Sequence, residues 1–161
     1  MNILFIHPLH IDYPGGGEEF VTELSIKLRL RNHTVGILYP NWVLKQYRKI
    51  NRTNKLKKYN VKTHECNYYK FIKGFPIIEP TCIWKNSKYY DIIYLTSYPP
   101  NEFLLSILKK IKIIKIPIII GFHSILNPYK YILHKIYSPI AIKTYKLFDT
   151  IHVLNKYLYN I

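Results

Sequence analysis

Acidic residues are scarce in this sequence. Only 9 of its 161 residues are Asp or Glu, against 24 that are Lys or Arg, so the formal net charge is +15. Such an excess predicts attraction to an anionic partner: phosphate, nucleic acid or an acidic membrane surface. The chain is also crowded with Ile, Lys, Asn and Tyr, whose codons are AT-rich, and it has one alanine. Codon bias is therefore an alternative source of the lysine excess.

Several catalytic signatures are absent. Asp91 and Asp149 both start predicted strands, so no pair of carboxylates lies at strand ends and hydrolysis by two acids is poorly supported. The sequence has no GxSxG and no HExxH or HxxxH, which argues against a serine hydrolase and a zinc site. Glycine is also rare, and its one cluster, Gly15–Gly17, is neither GxGxxG nor a P-loop. We therefore expect no metal and no dinucleotide cofactor.

Cysteine is rare as well. Cys66 and Cys82 form no CxxC pair. We predict free, buried thiols in a reducing compartment, and hence a cytoplasmic protein. The apolar run at the N-terminus lacks a basic flank, which predicts no signal peptide. The most apolar stretch, Ile111 to Phe122, is too short to span a membrane and carries two lysines.

The hydrophobic pattern alternates between strand and helix spacing. Strands are predicted at Asn2–His7, Thr34–Tyr39, Asn60–Cys66, Asp91–Thr96, Ile116–Phe122 and Asp149–Leu154. Helices are predicted at Glu18–Arg31, Thr81–Tyr90, Glu102–Ile111 and Asn127–Leu147, the last interrupted at Pro139. This alternation predicts an α/β fold: one Rossmann-like domain over residues 1–161, a doubly wound parallel sheet with helices on both faces.

Finer predictions concern the second half of the chain. Tyr68 to Pro80 is aromatic and proline-punctuated, which predicts a packed loop. In the following helix we expect Ile83 and Trp84 to face inward. Asn101 is the expected N-cap of the next helix. The expected core stripe of that helix is Phe103, Leu104, Ile107, Leu108 and Ile111.

Ligands of doubly wound sheets bind at the carboxyl ends of the strands, where the strand order reverses, so residues at predicted strand ends are the candidate site residues. Gly15, Gly16 and Gly17 join the first strand to the first helix, so their backbone can approach a phosphate or a polyol closely. The alternative is a turn without a ligand. Glu18 and Glu19 follow, and they would weaken phosphate binding if they pointed into the site.

Three further side chains lie at predicted strand ends. His123 follows a buried strand directly, and its imidazole is suited to a sugar hydroxyl, phosphate or carbonyl oxygen; a core histidine is the alternative. Ser97 ends another strand and is a candidate for polar lining. His7 has a claim similar to that of His123, although Pro8 offers a second explanation as a strand terminator.

The segment Lys45–Lys58 is basic and has no acidic residue. Its basic residues are Lys45, Arg48, Lys49, Arg52, Lys55, Lys57 and Lys58. One interpretation is an exposed connection with a solvated face. The other is a surface that meets a phosphate-bearing or membrane partner.

Four stretches in register carry a family resemblance: Ile3–Glu19 with Asn32–Val35, then Asp91–Ser97, Pro117–Ser124 and Asp149–Tyr157. Together they resemble the N-terminal, acceptor-side domain of a GT-B fold. The nearest likeness is to the large retaining glycosyltransferase family (group 1) that includes bacterial mannosyl- and glucosyltransferases. Departures exist, since Tyr94 and Thr96 stand where the family commonly has histidines.

The resemblance implies metal-independent transfer of a sugar from a nucleotide-sugar donor to an unknown acceptor. It implies that His123 contacts the transferred sugar and that Gly15–Gly17 lie near the diphosphate and the acceptor. It also implies a second, donor-binding domain that this chain lacks, so we expect the chain to need that domain for activity. The alternative is a non-catalytic basic module that binds anionic lipid or nucleic acid, although no nucleic-acid motif is present.

Overall fold

The computed structural model describes residues 1–41, 50–70, 76–97, 100–122 and 143–153. The strands are β1 (Asn2–Ile6), β2 (Thr34–Pro40), β3 (Lys62–Cys66), β4 (Tyr68–Lys70), β5 (Pro76–Ile78), β6 (Ile92–Thr96), β7 (Ile118–Phe122) and β8 (Thr150–Val153). The helices are α1 (Gly16–Leu30), α2 (Arg52–Lys58), α3 (Pro80–Ser87) and α4 (Asn101–Lys110). Most of the helix predicted at Asn127–Leu147 lies outside the described residues.

Six strands form one parallel sheet in the order β3-β2-β1-β6-β7-β8. The predicted doubly wound α/β fold is therefore confirmed. At the centre of the sheet, Ile6 of β1 pairs with Leu38 of β2 on one side and with Leu95 of β6 on the other. The strand order reverses between β1 and β6, and we call the carboxyl ends of these two strands the switch point.

Alternate residues of the central strands supply two separate cores. Leu4 and Ile6 join a cluster that includes residues of α3 and α4, whereas Ile3 and Phe5 join one that includes residues of α1 and α2. Burial on both faces explains why these strands read as continuous apolar runs. Residues of even number in β1 and odd number in β6 therefore face the α3–α4 side, and the others face α1.

The stretch predicted as a packed loop contains an antiparallel hairpin of β4 and β5, followed directly by α3. Asn101 is not the N-cap of α4 but its first residue. Its buried side chain holds the hairpin instead: Oδ1 accepts a hydrogen bond from the Ile78 amide at 2.9 Å, and Nδ2 donates to the Pro76 carbonyl at 3.0 Å. Asn101 therefore joins α4 to a distant segment.

The predicted inward faces of α3 and α4 are partly wrong. Ile83 is buried as expected, but Trp84 is exposed, with Lys88 Nζ 3.5 Å from its ring centre. In α4 the predicted core residues Phe103, Ile107 and Ile111 are exposed. The buried residues of α4 are Asn101, Glu102, Leu105, Ser106 and Leu108. The apolar pattern misplaced this face because three of its five buried residues are polar.

Cys66 and Cys82 form a disulfide, with 6.0 Å between their Cα atoms. The prediction of free thiols is therefore wrong. The β4–β5 hairpin folds the chain back, so α3 returns to the end of β3, a proximity that spacing alone does not reveal. Disulfides persist mainly in oxidising environments, so the argument for a reducing compartment no longer holds. Among the described residues, no helix is long and apolar enough to cross a membrane.

Candidate functional site

The structure places Gly15–Gly17 and Ser97 at the carboxyl edge of the sheet, on either side of the switch point. His123 lies outside the described residues. The glycines begin α1 directly beside the end of β1, since a β-carbon added to Gly17 would lie 3.4 Å from His7 Cε1. A β-carbon added to Gly16 would meet no atom of the described chain within 4 Å. The start of α1 is therefore open on the Gly16 side.

Glu18 occupies the N-terminus of α1. This residue is 3% exposed, and its Oε1 lies 3.1 Å from His7 Nε2. Its other oxygen, Oε2, fills the space that a β-carbon on Gly15 would need. A buried carboxylate thus lies where the positive end of the helix dipole would otherwise attract an external anion.

Glu19 points away from this position. Its Oε2 accepts a hydrogen bond from Arg52 Nε at 2.8 Å. The sequence assigned Arg52 to an exposed basic segment, but this residue is buried, and its Nη1 also donates to the carbonyl of Tyr13 at 2.8 Å. Arg52 therefore fixes the loop between β1 and α1.

His7 is the first residue after β1 and is 2% exposed. Its Nε2 lies 3.1 Å from Glu18 Oε1, where a carboxylate accepts a hydrogen bond from a protonated Nε2. The other ring nitrogen, Nδ1, is buried and has no hydrogen-bond partner among the described residues. In a neutral ring protonated at Nε2, Nδ1 is an acceptor, whereas in the imidazolium it is a donor.

Thr96 presents a second such atom at the switch point. It is 5% exposed, and its Oγ1 finds no partner in the described part of the chain. Because Ile6 pairs with Leu95, the next residues, His7 and Thr96, lie at adjacent positions of neighbouring strands. Both belong to the α1 face of the sheet by the alternation of the strands. On the far side of Thr96, its partner in β7 is Gly121, which has no side chain.

Tyr94 lies one layer below Thr96 on the same face, toward the amino ends of the strands. Its hydroxyl makes a hydrogen bond of 2.7 Å with His152 Nδ1 in β8. Burial raises the pKa of Tyr94 above its ordinary value, so the hydroxyl stays neutral. Tyr94 also packs against Phe5 with 5.2 Å between ring centres. Tyr94 and Phe5 thus form a packed layer beneath His7 and Thr96.

Ser97 belongs to a different arrangement. Its hydroxyl donates to Glu102 Oε1, and both residues are buried. Its backbone amide donates to the carbonyl of Gly121 at 2.8 Å. The hydroxyl that we predicted to line the site is therefore engaged with α4. Its role in ligand binding stays a prediction, as do those of Gly15, Gly16, Gly17 and His123.

Sequence reasoning missed Thr96 and the pairing of His7 with Glu18. The signal for Thr96 was present, because it is the last residue of an apolar strand and shares its side with Tyr94. The His7–Glu18 contact spans eleven residues and depends on how the glycine turn folds back. Elsewhere, no group of three potential metal ligands is found among the described residues.

A parallel sheet of this order defines a Rossmann-type fold, and buried polar groups lie at its switch point. No family model matches the chain, and no curated protein sequence matches it significantly. The chain is similar in fold to Anabaena HepE (Alr3699), whose crystal structure was solved in complex with UDP and glucose. The TM-score is 0.58 at 17% identity, over 92% of this chain and 36% of that one.

A second similar fold comes from the crystal structures of pinoresinol-lariciresinol and phenylcoumaran benzylic ether reductases. The TM-score is 0.56 at 13% identity, over 91% of this chain and 46% of that one. The chain thus spans less than half the length of either protein. At these identities the likenesses show the Rossmann-type fold alone.

Proposed function

We propose that this chain is the acceptor-side domain of a retaining, metal-independent GT-B glycosyltransferase, and that a second domain or polypeptide binds most of its nucleotide-sugar donor. The observation that carries this proposal is the buried Glu18 carboxylate at the N-terminus of α1. Dinucleotide-binding Rossmann domains place a pyrophosphate at that point. Here a fixed negative charge opposes it, so the diphosphate must be bound mainly elsewhere.

The same observation separates the two similar folds. A reductase that uses a nicotinamide cofactor needs the N-terminus of its first helix for pyrophosphate, and it commonly has GxGxxG there. This chain has Gly15–Gly17 followed by two glutamates instead. A ligand of the kind in the HepE structure, which was solved with UDP and glucose, agrees better with this helix N-terminus than a dinucleotide does. The resemblance of four sequence stretches to GT-B enzymes supports the same conclusion.

Ligand binding by the 161-residue chain tests this proposal. In saturation-transfer difference NMR with UDP-glucose, GDP-mannose and NADPH, we expect saturation on the hexose protons of at least one sugar nucleotide. We expect weaker saturation on its base and none on NADPH. Saturation of the nicotinamide ring, or no response to either sugar nucleotide, would contradict the proposal.

The proposed role of His123 as a sugar contact needs the complete enzyme. With the donor-binding domain supplied, His123→Ala should lower the rate of transfer about tenfold or more, a loss typical of a positioned catalytic group. His33→Ala is the matched control, because His33 follows α1 at the opposite edge of the sheet. Equal rates for the two variants would remove His123 from the site.

We also propose that a basic surface at the amino edge of the sheet binds anionic membranes. The C-terminal ends of α1 and α2 meet there, since Arg29 Nε donates to the Tyr59 carbonyl at 3.4 Å. Lys57 and Lys58 are exposed at this point, whereas Lys55 pairs with Glu23. Lysines near an anionic surface contribute about 1 kcal/mol each.

Co-sedimentation with vesicles of phosphatidylcholine containing phosphatidylglycerol tests this surface. Lys57→Gln with Lys58→Gln should weaken binding roughly tenfold or more, given that contribution per lysine. Lys85→Gln with Lys115→Gln removes the same charge from exposed positions on the α3–α4 side of the sheet, opposite α1 and α2, and should weaken binding less. Equal losses would show that net charge alone, and no particular surface, attracts the vesicles.

A further inference from the structure

We infer that His7 and Thr96 form a subsite for an uncharged hydroxyl group of a sugar, and that Glu18 orients His7 for this contact. The inference rests on the proposed function, because it names the chemical group that the switch point takes. Its basis is a pair of buried polar atoms, His7 Nδ1 and Thr96 Oγ1, which lack partners among the described residues. His7 directly follows β1 and Thr96 ends β6, and the pairing of Ile6 with Leu95 puts these two residues at adjacent positions.

Two such atoms lower the stability of the fold. A buried donor or acceptor without a partner costs about 1–3 kcal/mol, so native structures seldom keep one without a reason. Neighbouring strands lie about 4.8 Å apart, which brings two side chains of adjacent strand positions within reach of one small group. A single ligand group placed between His7 and Thr96 would satisfy both atoms.

The chemistry of the two atoms selects that group. We infer a neutral His7 ring protonated at Nε2, which donates to Glu18 and offers Nδ1 as an acceptor. Thr96 offers a hydroxyl that donates or accepts. A sugar hydroxyl matches this pair, because it can donate to Nδ1 while it accepts from Thr96. A fully ionised phosphate cannot donate to Nδ1, and the buried Glu18 carboxylate repels it.

Few side chains surround the two atoms at this level of the sheet. Gly121 pairs with Thr96 from β7 and contributes no side chain, and Gly16 faces open space at the start of α1. Gly17 lies against the His7 ring, since an added β-carbon would be 3.4 Å from Cε1. The glycines that open α1 thus place no side chain of their own over the two atoms, which are buried in the free chain.

Histidine ¹⁵N NMR of the full chain reads this subsite directly. In the free protein we expect His7 to be protonated at Nε2 only; the resonance is assigned by its loss in His7→Gln. Methyl α-D-glucopyranoside, methyl α-D-mannopyranoside or glycerol should shift the Nδ1 signal, and inorganic pyrophosphate should not. If pyrophosphate shifts Nδ1, or if none of the three uncharged probes does, the inference is overturned.

A matched pair of variants tests the hydroxyl. Thr96→Val keeps the shape of the side chain and should weaken binding of the responding probe about three- to tenfold, the equivalent of one hydrogen bond. Ser25→Ala is the control, because Ser25 Oγ is likewise buried without a described partner but lies more than two turns along α1. Equal binding by Thr96→Val and the unaltered protein would contradict the inference.

Glu18 is a positioning residue, so its test is the state of the imidazole. Glu18→Ala should mix the two neutral tautomers of His7, and Glu18→Gln should restore the Nε2-protonated form through its amide oxygen. Retention of a single tautomer in Glu18→Ala would show that another group orients the ring. The two proposals fail separately, because NADPH binding contradicts the glycosyltransferase but leaves the hydroxyl subsite intact if the glycosides still bind.

Discussion

The N-termini of α1 and α4 are built alike but differ in how their polar groups are hydrogen-bonded. Each helix follows a central strand that flanks the switch point, and each has a buried glutamate in its first turn. Glu18 contacts His7, the first residue after β1, and Glu102 contacts Ser97, the first residue after β6. At α1, however, the chain leaves His7 Nδ1 without a described partner, whereas at α4 the Ser97 hydroxyl donates to Glu102.

The residues before each glutamate explain this difference. α1 opens with glycines, which have no side chain to cover the start of the helix or to form a hydrogen bond there. α4 opens with Asn101, whose side chain holds the β4–β5 hairpin against the sheet. The polar groups of α4 therefore bond within the fold, whereas beside α1 one buried polar atom, His7 Nδ1, has no described partner and is the atom that we propose for a ligand. Substitutions at the two helices should accordingly change different properties of the protein.

Asn101→Ala should have the largest effect on stability. It removes two hydrogen bonds and leaves the Ile78 amide and the Pro76 carbonyl unsatisfied beside a buried side chain. We expect a loss of about 3 kcal/mol in the free energy of unfolding, measured in urea. Asn86→Ala is the control, because the Asn86 side chain bonds within its own helix. A loss below about 1 kcal/mol for Asn101→Ala would show that the hairpin is held by other contacts.

Ser97→Ala should cost somewhat less. The buried Glu102 carboxylate loses the hydroxyl that donates to it, and hydrogen bonds to charged groups are worth about 1.5–3 kcal/mol. Ser106→Ala makes the same change on α4, where the hydroxyl donates to the neutral carbonyl of Phe103, and should cost less. Sugar binding should survive Ser97→Ala if the site is at α1. A loss of binding without loss of stability would restore Ser97 as a site residue.

At α1, alanine at Gly15 and at Gly16 should have opposite effects. The new β-carbon at Gly15 displaces the Glu18 carboxylate from His7, and alanine is also the poorer N-cap, so we expect a loss of about 1 kcal/mol. At Gly16 the new group meets open space within a helix, which predicts a gain of about 0.5–1 kcal/mol.

Gly15→Ala can also be measured in a protein that already carries Glu18→Ala, which separates the two causes of its effect on stability. If displacement of the carboxylate dominates, Gly15→Ala should cost less in that background, because no carboxylate remains to be displaced. An unchanged cost would assign the whole effect to capping. The tautomer of His7, read by ¹⁵N NMR, gives a second measure, since Gly15→Ala should disturb it and Gly16→Ala should not.

Strand and helix alternation was sufficient to predict the parallel sheet, because buried strands leave long apolar runs such as that of β7. It failed where burial is polar. The buried face of α4 includes Asn101, Glu102 and Ser106, which a hydrophobic pattern assigns to solvent. The site was predictable in position but not in detail, since the glycine turn marked α1 while the His7–Glu18 contact and the Cys66–Cys82 disulfide depend on how the chain folds back.

Thr96→Val should cost no stability and gives the sharpest contrast with its neighbour Ser97. Since Oγ1 is buried without a described partner, a methyl group in its place removes no described hydrogen bond and relieves an unsatisfied hydroxyl, so we expect a gain of about 1 kcal/mol in the free energy of unfolding rather than a loss. Adjacent residues would then divide the two properties, Ser97 for stability and Thr96 for sugar binding. A loss above about 1 kcal/mol for Thr96→Val would reveal a structural partner for the hydroxyl, because removal of a hydroxyl that makes no hydrogen bond should not lower stability. In that case the polar groups at the end of β6 would be engaged within the fold, like those at the N-terminus of α4. His7 alone would then remain to bind a ligand at the switch point.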